Sequence, residues 1–193
     1  MRTRVKIIGL FLVLFAVCVC LEAQTLSWDI KFLKGQSLES VPVSQIVTME
    51  TGETFRFSVF PYADAFCYIV SHDSLRKIDV LHSGRLAGSR ESFFGPFRLT
   101  LPSGTETIYV IMSLEKLSRL ERYIKNYNNN PNSRLASSNL HREILNLQNS
   151  VSKLGEGISS YVPSGGTTRG SVEEYTTKFS GNNLYVRTIS IRH

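Results

Sequence analysis

Thr51–Ser113, TGETFRFSVFPYADAFCYIVSHDSLRKIDVLHSGRLAGSRESFFGPFRLTLPSGTETIYVIMS, decides the fold of this 193-residue chain. Apolar or alternating runs succeed one another in it, divided by Gly, Pro, Ser and Asp clusters, which is the pattern of β-strands joined by turns. In Phe55-Arg56-Phe57-Ser58-Val59 apolar and polar residues alternate, as a strand with one buried and one wet face requires. Ala65–Val70 (AFCYIV) is apolar on both faces and is placed in the middle of a sheet; its Phe, Tyr, Ile and Val favour a strand over a short buried helix. Ile78–Leu81 reads as a weaker strand. His82–Phe94, with Gly84, Gly88 and three serines, reads as a long surface loop. Phe97–Leu101 alternates again, Pro102-Ser103-Gly104 turns the chain, and Ile108–Met112 (IYVIM) is a second strand apolar on both faces.

Upstream, Trp28–Phe32 has a period of two and reads as the first strand. Gly35 follows as a turn, Pro42 marks an edge because it has no N–H to donate, and Gln45–Glu50 offers a further strand. Residues 1–23 read as a secretory signal peptide: Arg2, Arg4 and Lys6 precede an uncharged apolar run, Ile7–Leu21, and Ala23 is a cleavage position. That run is shorter than the ~20 residues of a membrane span. Cleavage at Ala23, lipidation at Cys18 or Cys20 and retention as an anchor stand as alternatives; the valines before both cysteines depart from a lipobox. The chain is expected to be exported, to the periplasm or cell envelope, with no span left after cleavage. Loss of these residues lowers the formal charge from +6 to +4 and leaves Cys67 alone, so the mature chain forms no internal disulfide.

At Ser113, a candidate N-cap, the period changes to that of a helix. Leu114, Leu117, Leu120, Ile124 and Tyr127 share a face, supported by Glu115–Arg119 and Glu121–Lys125 pairs. Asn126–Asn132 (NYNNNPN) breaks this helix. A second runs from about Ser133 to Leu154, its stripe of Leu140, Ile144, Leu147, Val151 and Leu154 lasting only about two heptads, so it is placed against the sheet or the first helix rather than in a coiled coil. Residues 156–171 read as a flexible linker. Tyr175–Phe179 and Leu184–Ile191, around Ser180-Gly181-Asn182-Asn183, read as a hairpin whose strands join the main sheet. The expected organisation is a signal peptide (1–23), a β-sandwich (24–113), a helical segment (114–155), the linker and the C-terminal strands (172–193): an antiparallel, Ig-like sandwich with two inserted helices and a C-terminal β-hairpin.

The order of these elements resembles the bacterial domain of unknown function 4384. The resemblance rests on Thr51-Gly52-Glu53 leading into FRFSVF, on AFCYIV, a polar hairpin into IDVLHS, a basic Gly/Ser loop, FRLTLPSGTETIYVIMS, the Leu-rich helix and the closing NNLYVRTISIRH. It covers about Ser27–Leu120 and the last strand. Leu81-His82-Ser83-Gly84 departs from it where members show an Asn-containing element. The resemblance implies an exported β-sandwich accessory module, and brings no activity and no catalytic residues.

The residues themselves offer little chemistry. His72, His82, His141 and His193 form no metal-binding spacing, and no cofactor motif is present. His72-Asp73 pairs a base with a carboxylate, yet such pairs are commoner as polar turns. Ser74–Lys77 and Ser150–Lys153 match SxxK without its companion motifs, and Gly165–Gly170 lacks the lysine of a phosphate loop. Arg76, Lys77, Arg85, Arg90 and Arg98, with Phe93 and Phe94, form a candidate patch for an anionic ligand on or near the expected long loop. Export excludes nucleic acid as the natural partner and points to an envelope protein or an anionic cell-wall polymer. The expected function is therefore a non-catalytic binding module, not an enzyme. The alternatives are a small envelope hydrolase acting on glycan or peptide, and a structural subunit assembling through residues 133–154. The sequence does not fix the oligomeric state.

Overall fold

The computed structural model describes residues 25–154, 160–164, 174–181 and 183–193. Two sheets face each other, and two helices cover the outer face of one of them. The strands are β1 (Leu26–Lys34), β2 (Glu39–Val41), β3 (Val47–Thr48), β4 (Thr54–Pro61), β5 (Ala65–His72), β6 (Ile78–Leu86), β7 (Ser92–Arg98), β8 (Thr105–Ser113), β9 (Ser160–Ser164), β10 (Glu174–Gly181) and β11 (Leu184–Arg192). The helices are α1 (Ser118–Asn129) and α2 (Arg134–Leu154). The first sheet runs β7-β4-β1-β10-β9, with β2 also on β1; the second runs β3-β11-β8-β5-β6. Apart from the short parallel pairing of β3 with β11, neighbours are antiparallel. The expected mainly-β sandwich with two helices is what forms.

Strand alternation builds the layer between the sheets. Trp28, Ile30 and Phe32 of β1, Phe55, Phe57 and Val59 of β4 and Phe179 of β10 point inward from the first sheet. Cys67 and Ile69, Ile108, Val110 and Met112, and Ile189 and Ile191 meet them from the second. Fully burying one such side chain contributes about 1.5–3 kcal/mol. Rings dominate the centre: Trp28 stacks on Phe179 with centroids 4.8 Å apart, and Phe32 on Phe55 at 5.3 Å.

The other residues of β5 and β8 face the helices, which is why both strands are apolar on both sides. Tyr68, Val70, Tyr109 and Ile111 form a second core with Leu120, Ile124 and Tyr127 of α1 and Ala136, Leu140 and Ile144 of α2. The stripe on α2 is thus used within the chain, at Leu140 and Ile144; the expected placement is against the sheet or the first helix, and it packs against both.

Several boundaries differ from the expectation. The long loop over His82–Phe94 is mostly strand: β6 continues to Leu86 and β7 begins at Ser92. Its Gly and Ser suit β6 because this is an edge strand with few side chains to bury. Leu99 and Thr100 lie beyond β7. Ser113 ends β8 instead of capping a helix; α1 starts at Ser118 without a side-chain cap. Glu115 therefore lies outside α1, Arg119 pairs with Glu143 and Glu121 with Lys116. Within the expected linker, Ser160–Ser164 is a strand on β10; the rest of the linker, like the signal segment and Gly155, lies outside the described residues. The terminal strands do join the sandwich, but not as a local hairpin. β10 pairs with β1 and β11 with β8, so the short connection between them crosses from one sheet to the other.

Candidate functional site

A cleft of about 750 Å³ opens where the end of the second sheet meets the start of α2. Its first wall is the β5–β6 turn. Asp73 organises that turn three times over: its N–H donates to the Lys77 carbonyl at 3.0 Å, its carbonyl accepts from Arg76 N–H at 3.0 Å, and its carboxylate accepts from Lys77 N–H at 2.7 Å. The result holds Arg76 at φ +64°, a left-handed conformation that costs a non-glycine residue on the order of 1–2 kcal/mol. The second wall is the α1–α2 connection and the first turns of α2. Ser133 caps α2, its Oγ accepting from Ala136 N–H at 3.2 Å, and Arg134, Ser137 and Ser138 follow along the cleft. Arg76, Lys77 and Arg134 all line it, and among the described residues no carboxylate does. Lys77 also reaches Asp79 outside the cleft, at 3.1 Å.

The floor is made by His72 of β5 and His141 of α2, whose rings stack at 4.3 Å with an interplanar angle of 26°. Burial holds both imidazoles below their ordinary pKa; at His72 the neighbouring His141 and Arg76 push the same way, while Asp73 opposes. Both rings are thus held towards the neutral form. Tyr109 Oη lies 3.4 Å from His141 Nε2, and Tyr127 donates its hydroxyl to the Ile78 carbonyl. The Asp73 carboxylate serves the turn, and the ring packed against His72 is His141.

Of the patch residues named from sequence, only Arg76 and Lys77 line this cleft. Arg85 lies at the far end of β6, on the order of 25 Å along the strand at ~3.3 Å per residue. There it binds Asp64 at 2.7 Å, and that carboxylate also accepts from Gly88 N–H at 2.7 Å. Arg90 sits in the β6–β7 turn. Phe93 is exposed on β7, whereas Phe94 turns in against the sandwich core and packs on His82 at 4.4 Å. Arg98 ends β7 and lines a separate depression with Glu50 and Glu53. The seven residues therefore belong to several surfaces. Arg134, Ser137, Ser138 and His141 also line the cleft and are not part of the patch read from sequence, since only the docking of α2 brings them there.

Among the described residues no three His, Cys, Asp or Glu side chains gather as metal ligands, and no helix is long and apolar enough to cross a membrane. No family model, no curated protein and no solved structure matches the chain.

Proposed function

We propose that this protein is an exported, non-catalytic β-sandwich module that binds an acidic envelope protein or an anionic cell-wall polymer through the cleft between the β5–β6 turn and α2. The observation that carries this reading is the lining: Arg76, Lys77 and Arg134 lie on one cleft with hydroxyls and, among the described residues, no carboxylate. Arginine suits such a site because its planar fork pairs with carboxylate or phosphate in two hydrogen bonds. The signal-like N-terminus and the resemblance to an exported accessory domain support the location. Crosslinking in intact cells, followed by purification, tests it. An Arg76→Ala/Arg134→Ala variant that remains folded is expected to lose the partner recovered with the wild type. Equal recovery by both proteins would sink the reading.

A second reading, a small envelope hydrolase, keeps one observation in its favour: His72, its pKa lowered by burial, lines the cleft, where an imidazole can accept a proton. A screen against wall glycans and peptides tests it. Turnover abolished by His72→Gln would favour the enzyme over the binding module.

A further inference from the structure

On the opposite side of the sandwich, the outer face of the first sheet carries a second concave surface of about 450 Å³. We propose that it is a binding site for a neutral sugar, independent of the cationic cleft. Strand register builds it. Asp29 lies beside Phe60 on one side and Lys178 on the other, and Lys31 lies beside Ser58, so two adjacent rows project outward while Trp28 and Ile30 point into the core. Tyr62 and Glu91 add to its walls.

Three features select the ligand class. Among the described residues the charges balance, with Asp29 and Glu91 against Lys31 and Lys178, so these side chains together carry no net attraction for a strongly charged ligand. Donors and acceptors alternate at close range. Tyr62 Oη donates to Asp29 Oδ2 at 2.8 Å, Ser58 donates to Glu91, and Lys31 lies 3.7 Å from the same carboxylate. Asp29 Oδ1 is buried and finds no hydrogen-bond partner among the described residues, so the carboxylate is positioned by the Tyr62 hydroxyl. Finally, an aromatic pair is present: Phe60 and Tyr62 meet edge to face at 5.2 Å, Lys178 Nζ lies 4.4 Å from the Tyr62 ring, and Tyr62 is still 44% exposed. A sugar ring matches this combination. Its hydroxyls both donate and accept, and its C–H faces rest on aromatic rings.

Electrophoresis of the purified full chain through gels containing laminarin, dextran, hydroxyethylcellulose or glycol chitin tests the proposal, with dextran sulfate as the charged comparison. Retardation is expected in at least one neutral gel. It should weaken at least tenfold in Tyr62→Ala and in Asp29→Ala, and persist in Arg76→Ala/Arg134→Ala. Tyr62→Phe, which keeps the ring but drops the bond to Asp29, guards against a misfolded Tyr62→Ala, and a thermal melt of each variant verifies its fold. No retardation of the folded wild type in any neutral gel, retardation by dextran sulfate alone, or retardation indifferent to the Tyr62 and Asp29 changes would each overturn it.

Discussion

His72 and His141 come from strand and helix 69 positions apart, yet their imidazoles stack at 4.3 Å and seal the seam between the second sheet and α2. Two rings at that distance repel when both are protonated. His82, half-buried beside Phe94, is likewise held below its ordinary pKa by loss of solvent.

The sign of the pH dependence follows. Unfolded histidines take up protons near pH 6.5, whereas these three resist until the pH is lower. Their contribution to stability is fully present above about 6.5 and is lost as the pH falls through the depressed native values. Thermal melts should therefore show a midpoint falling by several degrees between pH 7.5 and 5. His141→Phe should flatten that slope. Glu106 works the other way: burial raises its pKa despite His193 nearby, so its contribution fades as pH rises above the ordinary glutamate value. A midpoint constant across this range in a Glu106→Gln variant, which lacks the opposing group, would contradict the depressed histidine values.

Arg119 and Glu143 provide a second test. The ion pair, 2.9 Å long, joins α1 to α2, but it is lopsided: Glu143 is buried and Arg119 mostly exposed. Removing the arginine leaves a buried carboxylate unpaired; solvent reaching the pair tempers the cost to about 1–2 kcal/mol. Arg119→Ala/Glu143→Leu should recover most of that loss, because no charge remains to be desolvated. Urea denaturation of the two variants distinguishes them, and a double variant no better than the single would show that the carboxylate is not the source of the cost.

How much of this was legible beforehand depended on whether a residue's role is local. AFCYIV and IYVIM announce β5 and β8 because a strand between a sheet and a helical layer must be apolar on both sides. β6 was missed past Leu81, since an edge strand with Gly84 and Ser83 has the composition of a loop. The Ser180–Asn183 connection suits a hairpin and an inter-sheet crossover equally well; only the pairing of β10 with β1 decides between them. The basic residues near His82–Phe94 looked like one patch because they are close in sequence, but strands carry neighbours apart: β6 separates Arg76 from Arg85. Arg134, which lines the same cleft as Arg76, is distant in sequence and carries no local mark of it.

Cys67 offers a probe of global opening. Its side chain is fully buried in the inter-sheet core, and burial drives the thiol pKa far upward, so little thiolate forms in the native state. Mass-spectrometric mapping after treatment with a thiol reagent should find Cys67 unmodified in the folded protein. The modification rate should rise with urea in step with the unfolded fraction. Rapid labelling at Cys67 in native buffer would mean that the strand pair β5–β8 opens locally.

Gly88 and Gly52 separate two ways in which a glycine is required. A Cβ at Gly88 would stand 2.7 Å from the backbone of Ala63 and Asp64, a contact that backbone cannot yield without moving the β4–β5 turn. The same movement would break the Gly88 N–H bond to the Asp64 carboxylate, which helps hold that carboxyl below its usual range. Gly52 is the opposite case: its φ is +93°, but nothing lies within 4 Å of an added Cβ. There the cost is conformational alone, on the order of 1–2 kcal/mol for a side chain in this region. Gly88→Ala drives a Cβ into backbone that must move, and should cost about 1–3 kcal/mol, the range for overpacking; the exposed Asp64 carboxylate keeps Arg85 and turns its freed oxygen to water. Denaturation midpoints should therefore rank wild type above Gly52→Ala and Gly52→Ala above Gly88→Ala. The reverse order would mean that the turn at Gly88 yields more readily than the backbone strain at Gly52 relaxes.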